Sequence, residues 1–166
     1  MRVRVGLKGR RRVVRGGRGS GEVWRGGEAV KGGASAVGYT IYIGSKHESK
    51  MLQEFEGIQR EAHKNNLPTI CWIYPRGESV KGESKSKLMA YSTRVGLEVG
   101  ADIVKIHPTG KKQDLEWAIQ SAGKAKVVIA GGSKRGEQAL LKEIKEAMTI
   151  GCTGLAIGRN IWQNKY

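Results

Sequence analysis

Apolar residues in this chain fall into short runs that alternate with longer stretches of helical periodicity. Residues 37–43 form the first run, rich in β-branched and aromatic side chains, and Gly44 and Ser45 end it. Four similar runs follow at 68–74, 102–107, 126–130 and 153–157. Short apolar runs of this kind are typical of strands that are covered on both faces in a parallel sheet.

The stretches between these runs repeat their apolar residues every three or four positions. One such face carries Met51, Phe55, Ile58 and Ala62. This spacing predicts amphipathic helices at about 46–65, 85–99, 114–123 and 136–150. Ser45 followed by Glu48 also predicts a capping box at the start of the first helix.

Five strands alternating with four helices indicate an α/β fold built from right-handed βαβ units around a parallel sheet. A doubly wound sheet and a (β/α)8 TIM barrel both fit this order. A complete eight-stranded barrel needs about 250 residues, whereas the chain has 166. If the fold is a barrel, we expect it to be a partial one.

Residues 1–34 differ sharply from the rest. They hold eight Arg, two Lys and ten Gly against two Glu, so this segment alone carries +8 of the formal net charge of +15. We expect it to be disordered. It could be an RGG-type tail that binds nucleic-acid phosphates, a solvated basic arm, or a stretch that is not native protein sequence. The predicted domain covers residues 35–166.

Other features narrow the class of protein. Cys71 and Cys152 lie far apart in apolar surroundings, so we interpret them as reduced core residues of a cytoplasmic protein. No apolar run approaches the roughly 18 residues of a membrane span. The basic start has no apolar segment typical of a secretory signal.

The most informative residue is Lys105, which interrupts the apolar run at 102–107 close to its carboxyl end. Carboxyl ends of parallel strands are where α/β folds place their chemistry. A desolvated lysine has a lowered pKa, and its neutral amine can form a Schiff base with a carbonyl. Alternatively, the side chain extends to the rim and pairs with a carboxylate.

Polar residues also end the other predicted strands. Trp72 and Tyr74 share one face of the second strand, and His107 shares a face with Lys105. Gly131, Gly132 and Ser133 follow the fourth strand, and Gly158 and Arg159 follow the fifth. Glycine-rich loops after late barrel strands often bind phosphate. His63 is expected to be a solvated surface residue, and Arg76 to cover a turn.

Five motifs resemble the archaeal-type class I fructose-bisphosphate aldolases, the DhnA-like Schiff-base aldolase family. They are GYTIYIGS at 38–45, WIYPRG at 72–77, GADIVKI at 100–106, GGSK at 131–134 and AIGRNIWQ at 156–163. The resemblance implies a TIM-barrel lyase that cleaves fructose 1,6-bisphosphate reversibly to dihydroxyacetone phosphate and glyceraldehyde 3-phosphate. It implies no metal and no cofactor.

The same resemblance assigns roles to the residues above. Lys105 would form the Schiff base, and Tyr74 would move protons. Trp72 would line the sugar-phosphate pocket. The phosphate-binding residues would be Gly131, Gly132, Ser133, Gly158 and Arg159. A related transaldol synthase of aromatic amino acid biosynthesis would use the same lysine and tyrosine.

Two departures from the family pattern bear on activity. The family usually has Tyr-Thr-Gly-Asp after the lysine strand, where this chain has His107 to Lys111. The chain also matches only the last five barrel strands, which suggests amino- and carboxyl-terminal truncation. The resemblance implies an enzyme of glycolysis and gluconeogenesis, and we expect it to work as a homo-oligomer. Because of the truncation, an inactive fragment is one alternative. A nucleic-acid-binding protein is the other.

Overall fold

The computed structural model describes residues 33–131 and 136–158, and the backbone of residues 5–7, 11–14 and 17–20. Its strands are β1 (Val5–Leu7), β2 (Arg11–Val14), β3 (Gly17–Ser20), β4 (Ala36–Ile43), β5 (Thr69–Pro75), β6 (Ile103–Ile106), β7 (Lys126–Ala130) and β8 (Gly154–Ala156). Its helices are α1 (Glu48–Lys64), α2 (Lys85–Glu98), α3 (Lys112–Ser121) and α4 (Glu137–Ile150). A short 3-10 helix covers Glu78–Val80. None of the described helices is long and apolar enough to span a membrane.

The main sheet has six parallel strands in the order β1-β4-β5-β6-β7-β8. From β4 onward each strand pairs with the next one in the chain, so the strand order never reverses. Right-handed crossovers in one direction place the connecting helices on one face of the sheet. The observed order therefore excludes the doubly wound alternative and confirms the partial TIM-barrel fold, with five strands and four helices from Ala36 onward.

The hydrophobic core lies between this sheet face and the helices. Burial alternates along strands β5 and β6. Their fully buried residues Cys71, Ile73, Val104 and Ile106 face the helices. Phe55 and Met51 of α1 are fully buried as well. Both cysteines are buried and unpaired, in agreement with the prediction. The opposite face, here called the inner face, carries the alternate strand residues.

The sheet includes one strand from the Arg/Gly-rich segment. Residues 5–7 form β1, which pairs in parallel with the first residues of β4, and β2 and β3 form an antiparallel pair. These eleven residues are the part of the segment whose backbone the structure describes. The other residues of 1–32 lie outside the described part, and the proposed domain boundary stays a prediction.

Helix α1 begins differently from the predicted capping box. It starts at Glu48, and its N-cap is His47 rather than Ser45. The Ser45 hydroxyl accepts a hydrogen bond from the His47 N–H, and the Glu48 carboxylate reaches back to the Gly44 N–H. The carboxylate thus reaches one residue further back than a capping box on Ser45 predicts, while the serine closes a local turn.

Candidate active site at the carboxyl ends of β5 and β6

Lys105 and Trp72 are neighbours across the sheet. The two residues are paired in the register of β5 and β6, and the Lys105 Nζ lies 5.8 Å from the centroid of the Trp72 ring. Burial lowers the pKa of Lys105 below its usual value of 10.5, because a desolvated ammonium is disfavoured relative to the neutral amine. Among the described residues, no carboxylate pairs with it. The alternative of a rim salt bridge is therefore not what the structure shows.

A glycine makes room for the Trp72 ring on the inner face. A Cβ atom on Gly38 of β4 would lie 2.5 Å from Cη2 of Trp72. Real side-chain contacts are never this short, so the indole can lie over β4 only because position 38 has no side chain. Gly38 thereby sets the position of the aromatic surface that Lys105 faces.

Tyr74 is surrounded by three other groups. Its ring lies 6.2 Å from the Tyr42 ring and 5.7 Å from the His107 ring, centroid to centroid. The Arg76 guanidinium carbon lies 5.0 Å from the Tyr74 ring centroid, a cation–π distance. Burial raises the pKa of Tyr74, Arg76 opposes the rise and Tyr42 adds to it. The phenol is therefore protonated near neutral pH and can donate a proton.

The position of Arg76 is fixed through its backbone. Its N–H and the Gly77 N–H both donate to the Ile43 carbonyl at the end of β4. A Cβ on Gly77 would lie 1.7 Å from the Gly44 carbonyl carbon, so the backbones of these two segments are in direct contact. Gly44 has φ of +75°, which favours glycine. The turn at 44–45 and the turn at 75–77 therefore pack tightly against each other, here called the corner, and this packing holds Arg76 over Tyr74.

The remaining candidate residues are described only in part. Gly131 directly follows β7, and its N–H lies 3.4 Å from the Ala156 carbonyl of β8. Gly158 lies just after β8. Gly132, Ser133 and Arg159 lie outside the described residues. The two described glycines are at the carboxyl ends of adjacent strands, on the same edge of the sheet as Tyr74 and Lys105.

A crevice of about 440 Å³ opens beside Tyr74, between the ends of β5 and β6 and helix α2. Its polar lining residues include Tyr74, Arg76, Lys85, His107 and Thr109. Lys105 and Trp72 do not line it, because their side chains are on the inner face. Tyr74 thus lies between the Schiff-base candidate and a second, basic recess, here called the Tyr74 crevice.

Three of these neighbours were missed or underrated from the sequence. Arg76 was expected only to cover a turn, and Gly38 and Tyr42 were given no role at the site. The WIYPRG motif was a usable signal for Arg76, because it ties the arginine to the tyrosine two residues earlier. Neither Gly38 nor Tyr42 had such a signal, since their roles depend on the β4–β5 register.

A family model for the DeoC/LacD aldolases matches residues 8–164. The chain belongs to this family of aldolases. The match begins inside the Arg/Gly-rich segment and continues through all five strands from β4 onward. The same model covers every candidate site residue, including those outside the described part of the chain.

Curated relatives in the same family are similar over most of this chain. The class 1 fructose-bisphosphate aldolase of Thermoproteus tenax is 46% identical over 139 residues, 83% of this chain and 53% of the relative. The class 1 enzyme of Halobacterium salinarum strain R1 is 41% identical over 134 residues, 81% of this chain and 51% of the relative. The chain thus spans about half the length of the curated relatives it matches.

Solved structures of this aldolase family show the same fold. One concerns the mechanism of the Schiff-base-forming fructose-1,6-bisphosphate aldolase; it matches with a TM-score of 0.90 and 40% identity, covering 96% of this chain and 65% of that one. An archaeal fructose-1,6-bisphosphate aldolase with its catalytic Lys bound to the carbinolamine intermediate also matches with a TM-score of 0.90 and 40% identity, covering 96% and 64% of the two chains.

Proposed function

We propose that this chain provides the Schiff-base site of a class I fructose-bisphosphate aldolase, in which Lys105 is the amine nucleophile. The observation that carries the proposal is the setting of Lys105: a half-buried amine with a lowered pKa, paired in register with Trp72 and one strand away from Tyr74. The similarity to Schiff-base aldolases over most of the chain supports it.

The chemistry follows from these groups. The neutral Lys105 amine attacks the ketone carbon of the sugar phosphate to give a carbinolamine, which loses water to form an iminium ion. A base removes the proton of the C4 hydroxyl, the C3–C4 bond breaks, and its electron pair is accepted by the iminium as an enamine. The aldehyde half leaves as glyceraldehyde 3-phosphate. Protonation at C3 and hydrolysis then release dihydroxyacetone phosphate and the free amine.

Tyr74 is the proposed acid–base group in these steps. Its raised pKa keeps the phenol protonated in the resting site, so it is suited to donate a proton to the departing hydroxyl of the carbinolamine. As phenolate it would then accept the C4 hydroxyl proton. Arg76 above the ring would stabilise the phenolate by its charge.

The ends of β7 and β8 are the proposed site for the ketose 1-phosphate. Backbone N–H groups of glycines can approach phosphate closely, and an arginine can bind it through two hydrogen bonds. The proposed ligands are Gly131, Gly132, Ser133, Gly158 and Arg159. Anchoring the phosphate there would hold the ketone carbon in register with the Lys105 amine.

A second activity is supported by one relative. The fructose-bisphosphate aldolase/6-deoxy-5-ketofructose 1-phosphate synthase of Methanocaldococcus jannaschii is 41% identical over 131 residues, 76% of this chain and 42% of the relative. We therefore propose transaldol synthesis as the alternative reaction. It would use the same Schiff base and differ in the aldehyde that the enamine attacks.

We further propose a cytoplasmic enzyme of glycolysis and gluconeogenesis that acts as a homo-oligomer. The rings of Tyr91 on α2 and Trp117 on α3 support the oligomer, because they are 52% and 45% exposed beside a shared groove and aromatic residues are enriched at interfaces. Sedimentation of the purified chain tests it.

Salt-dependent nucleic-acid binding through residues 1–34 is a separate proposal, tested by deleting that segment.

Borohydride trapping tests the proposed function directly. The purified chain is incubated with dihydroxyacetone phosphate, reduced, digested and read by mass spectrometry. We expect a stoichiometric adduct on Lys105 that is lost in Lys105→Ala. Lys126→Ala is the matched control, because Lys126 is also a strand lysine but lies exposed at the opposite end of β7.

The outcomes of trapping are distinct. An adduct on Lys105 in both wild type and Lys126→Ala, followed by cleavage of fructose 1,6-bisphosphate, supports the aldolase. Scattered labelling of surface lysines, or no adduct at all, contradicts the claim that this chain forms the Schiff base. Labelling without cleavage, but with transfer to a second aldehyde, favours the synthase.

A further inference from the structure

One carboxylate joins three segments of the chain close to the carboxyl end of β6. Asp114, in the first turn of α3, accepts a hydrogen bond from the Thr109 hydroxyl at 2.7 Å. It accepts another from the Ser86 hydroxyl in the first turn of α2, and these two bonds lower the pKa of Asp114 below its usual value. Asp114 therefore connects the loop after β6 to the starts of both helices. This arrangement is here called the Asp114 latch.

The loop after β6 can transmit this connection towards the strand. The Thr109 hydroxyl also accepts a hydrogen bond from the Lys111 N–H at 3.3 Å, so its oxygen is held from two sides. Pro108 precedes it, and the proline ring fixes its own φ and restricts the backbone of His107 before it. Few free torsions therefore remain between Thr109 and His107. A displacement of the Thr109 side chain should move the His107 ring as well.

Both ends of the latch lie beside Tyr74. The Tyr74 ring lies 5.7 Å from the His107 ring, centroid to centroid. Lys85 and Leu88 of α2 line the opposite side of the Tyr74 crevice, and Ser86 comes between them in the sequence. The latch thus ties the α2 wall of the crevice to the loop wall that carries His107. Its bonds fix the surroundings of the Tyr74 phenol.

A different contact joins α2 and α3 further along the two helices. The buried Thr93 hydroxyl lies 2.7 Å from the Ala118 carbonyl oxygen. This contact is independent of Asp114 and remains when the carboxylate is removed. Loss of the latch should therefore loosen the loop after β6 while the helices stay packed, so variants of Asp114 are expected to fold.

We propose that Asp114 is a positioning residue for the acid–base chemistry of Tyr74, acting through Thr109 and His107. This inference rests on the proposed function, in which Tyr74 moves the protons of aldol cleavage. Asp114 does not line the Tyr74 crevice, so its contribution is geometric. An ordered loop keeps the His107 ring against Tyr74, and a phenol held in place reaches its proton-transfer geometry at lower entropic cost.

The first experiment measures the latch without requiring activity. The intact chain is digested briefly with limiting trypsin, and cleavage after each lysine is quantified by mass spectrometry. We expect Asp114→Ala to speed cleavage after Lys111, which is exposed in the loop, because proteolysis follows local opening. Cleavage after Lys81, which is exposed before α2, should be unchanged. Glu116→Ala is the matched control, because Glu116 is on the same helix and pairs with Lys112 instead.

The second experiment measures the effect on the reaction. Asp114→Ala should lower kcat for cleavage of fructose 1,6-bisphosphate by about tenfold, since a misplacement of about 1 Å costs up to about 10²-fold. KM should change by less than about twofold, because substrate binding is retained. Thr109→Val should cause the same loss of kcat, whereas Thr109→Ser keeps the hydroxyl and should retain most of it. The final yield of adduct on Lys105 should equal that of wild type.

A double-mutant cycle decides whether Asp114 acts through Tyr74. In the Tyr74→Phe background, Asp114→Ala should lower the residual rate by less than about twofold, because the group that it positions is already gone. A loss as large as in wild type would show that the two residues act independently, and it would overturn the proposal. Asp114→Asn, which keeps one acceptor oxygen, should lose less kcat than Asp114→Ala in the wild-type background.

Failure of this inference is distinguishable from failure of the proposed function. An unchanged kcat in Asp114→Ala overturns the positioning role, even if Lys105 is trapped by dihydroxyacetone phosphate. Faster tryptic cleavage after Lys111 with an unchanged kcat overturns it too, because the latch would then order the loop without affecting Tyr74. Absence of the Lys105 adduct in wild type instead removes the proposed function itself, whatever the digestion shows.

Discussion

The two ends of strand β6 carry polar residues that are used in opposite ways. Asp102, just before the strand, accepts hydrogen bonds from the Thr69 N–H at 2.7 Å and the Thr69 hydroxyl at 2.9 Å, and its carboxylate lies 2.8 Å from His63 Nε2. Gln59 bonds the other ring nitrogen of His63 at 2.9 Å. Each of these polar groups has a partner, and the network joins α1, β5 and β6.

At the carboxyl end two cationic side chains contact aromatic rings, and within the described part of the chain neither Lys105 nor Arg76 is paired with a carboxylate. Lys105 faces Trp72, and Arg76 and His107 face Tyr74. Aromatic faces hold cations in place without neutralising them. The comparison teaches that one end of the sheet satisfies its polar groups internally and contributes stability, while the other leaves charge available to a ligand.

Among the substitutions that distinguish the two ends, Tyr74→Phe should have the largest effect, which is on the rate of cleavage. Losing the phenol should slow cleavage by about 10²–10⁴-fold, the usual contribution of a general acid or base. The adduct of dihydroxyacetone phosphate on Lys105 should still form, because the amine is unchanged, but more slowly, because the phenol no longer assists the loss of water from the carbinolamine. Steady-state rates and adduct yields measure the two effects. Tyr91→Phe on the exposed side of α2 is the control, and an equal loss of cleavage in both variants would contradict a role for Tyr74.

Asp102→Ala should affect stability rather than chemistry. The buried Thr69 N–H and hydroxyl would lose their acceptor, which lowers the free energy of unfolding by about 1–3 kcal/mol. Urea unfolding measures this change, and the adduct yield per folded molecule should stay as in wild type. Asp102→Asn, which keeps one acceptor oxygen, should lose less. A variant as stable as wild type would show that the network contributes nothing.

The same carboxylate predicts a pH dependence. Burial tends to raise the pKa of Asp102, but the hydrogen bonds from Thr69 and His63 outweigh it and lower the pKa overall. A lowered pKa in the folded state gives stability that is present above the unfolded value and is lost as pH falls through the folded value. Wild type should therefore lose stability below about pH 4 with a slope that Asp102→Ala lacks.

Gly38→Ala should disturb the functional end more modestly. The new methyl group would displace the Trp72 indole, at a cost of about 1 kcal/mol, and trapping at Lys105 should slow several-fold as its aromatic neighbour moves. Gly57→Ala is the control, because position 57 lies in α1 with open space around it and helical alanine should stabilise by about 0.5–1 kcal/mol. An unchanged rate of trapping in Gly38→Ala would show that the position of Trp72 does not affect the reactivity of Lys105.

The smallest effect concerns the titration of Lys105. Its lowered pKa predicts that the rate of labelling at this residue, followed against pH, has an inflection below 10.5. Because the unfolded chain binds this proton more tightly, stability should rise with pH between the folded and unfolded values. Lys105→Met should remove that slope. An inflection at or above 10.5 would contradict desolvation of the amine.

Most of the fold could be predicted because local patterns and tertiary structure agree. The run at 126–130 is a strand with the predicted bounds, and the others differ by one or two residues. The strand β1 could not be predicted, because Val5–Leu7 is too short to show periodicity and is defined by pairing with β4. The choice of barrel over doubly wound sheet likewise depends on strand order, which hydrophobic periodicity does not encode.

The candidate site was predictable where a residue violates its local pattern. A lysine in an apolar strand was visible in the sequence, and the structure puts Lys105 beside Trp72. His63 is exposed at the surface, as expected, but its contact with Asp102, which is 39 positions later, could not be predicted from the sequence. Gly38 was overlooked for a similar reason: its importance lies in a neighbouring strand's indole and not in any local turn.

The corner between Gly44 and Gly77 makes the following loop separable from the rest of the molecule. The Ser79 hydroxyl donates to the Gly44 carbonyl at 2.8 Å, and a Cβ on Gly44 would meet Val80, so the clamp extends to the end of the 3-10 helix. Residues 81–84 beyond it are all exposed. Insertions at residues 81–84 should therefore be tolerated without moving Arg76. New segments could be grafted there while the side chains of the site keep their positions.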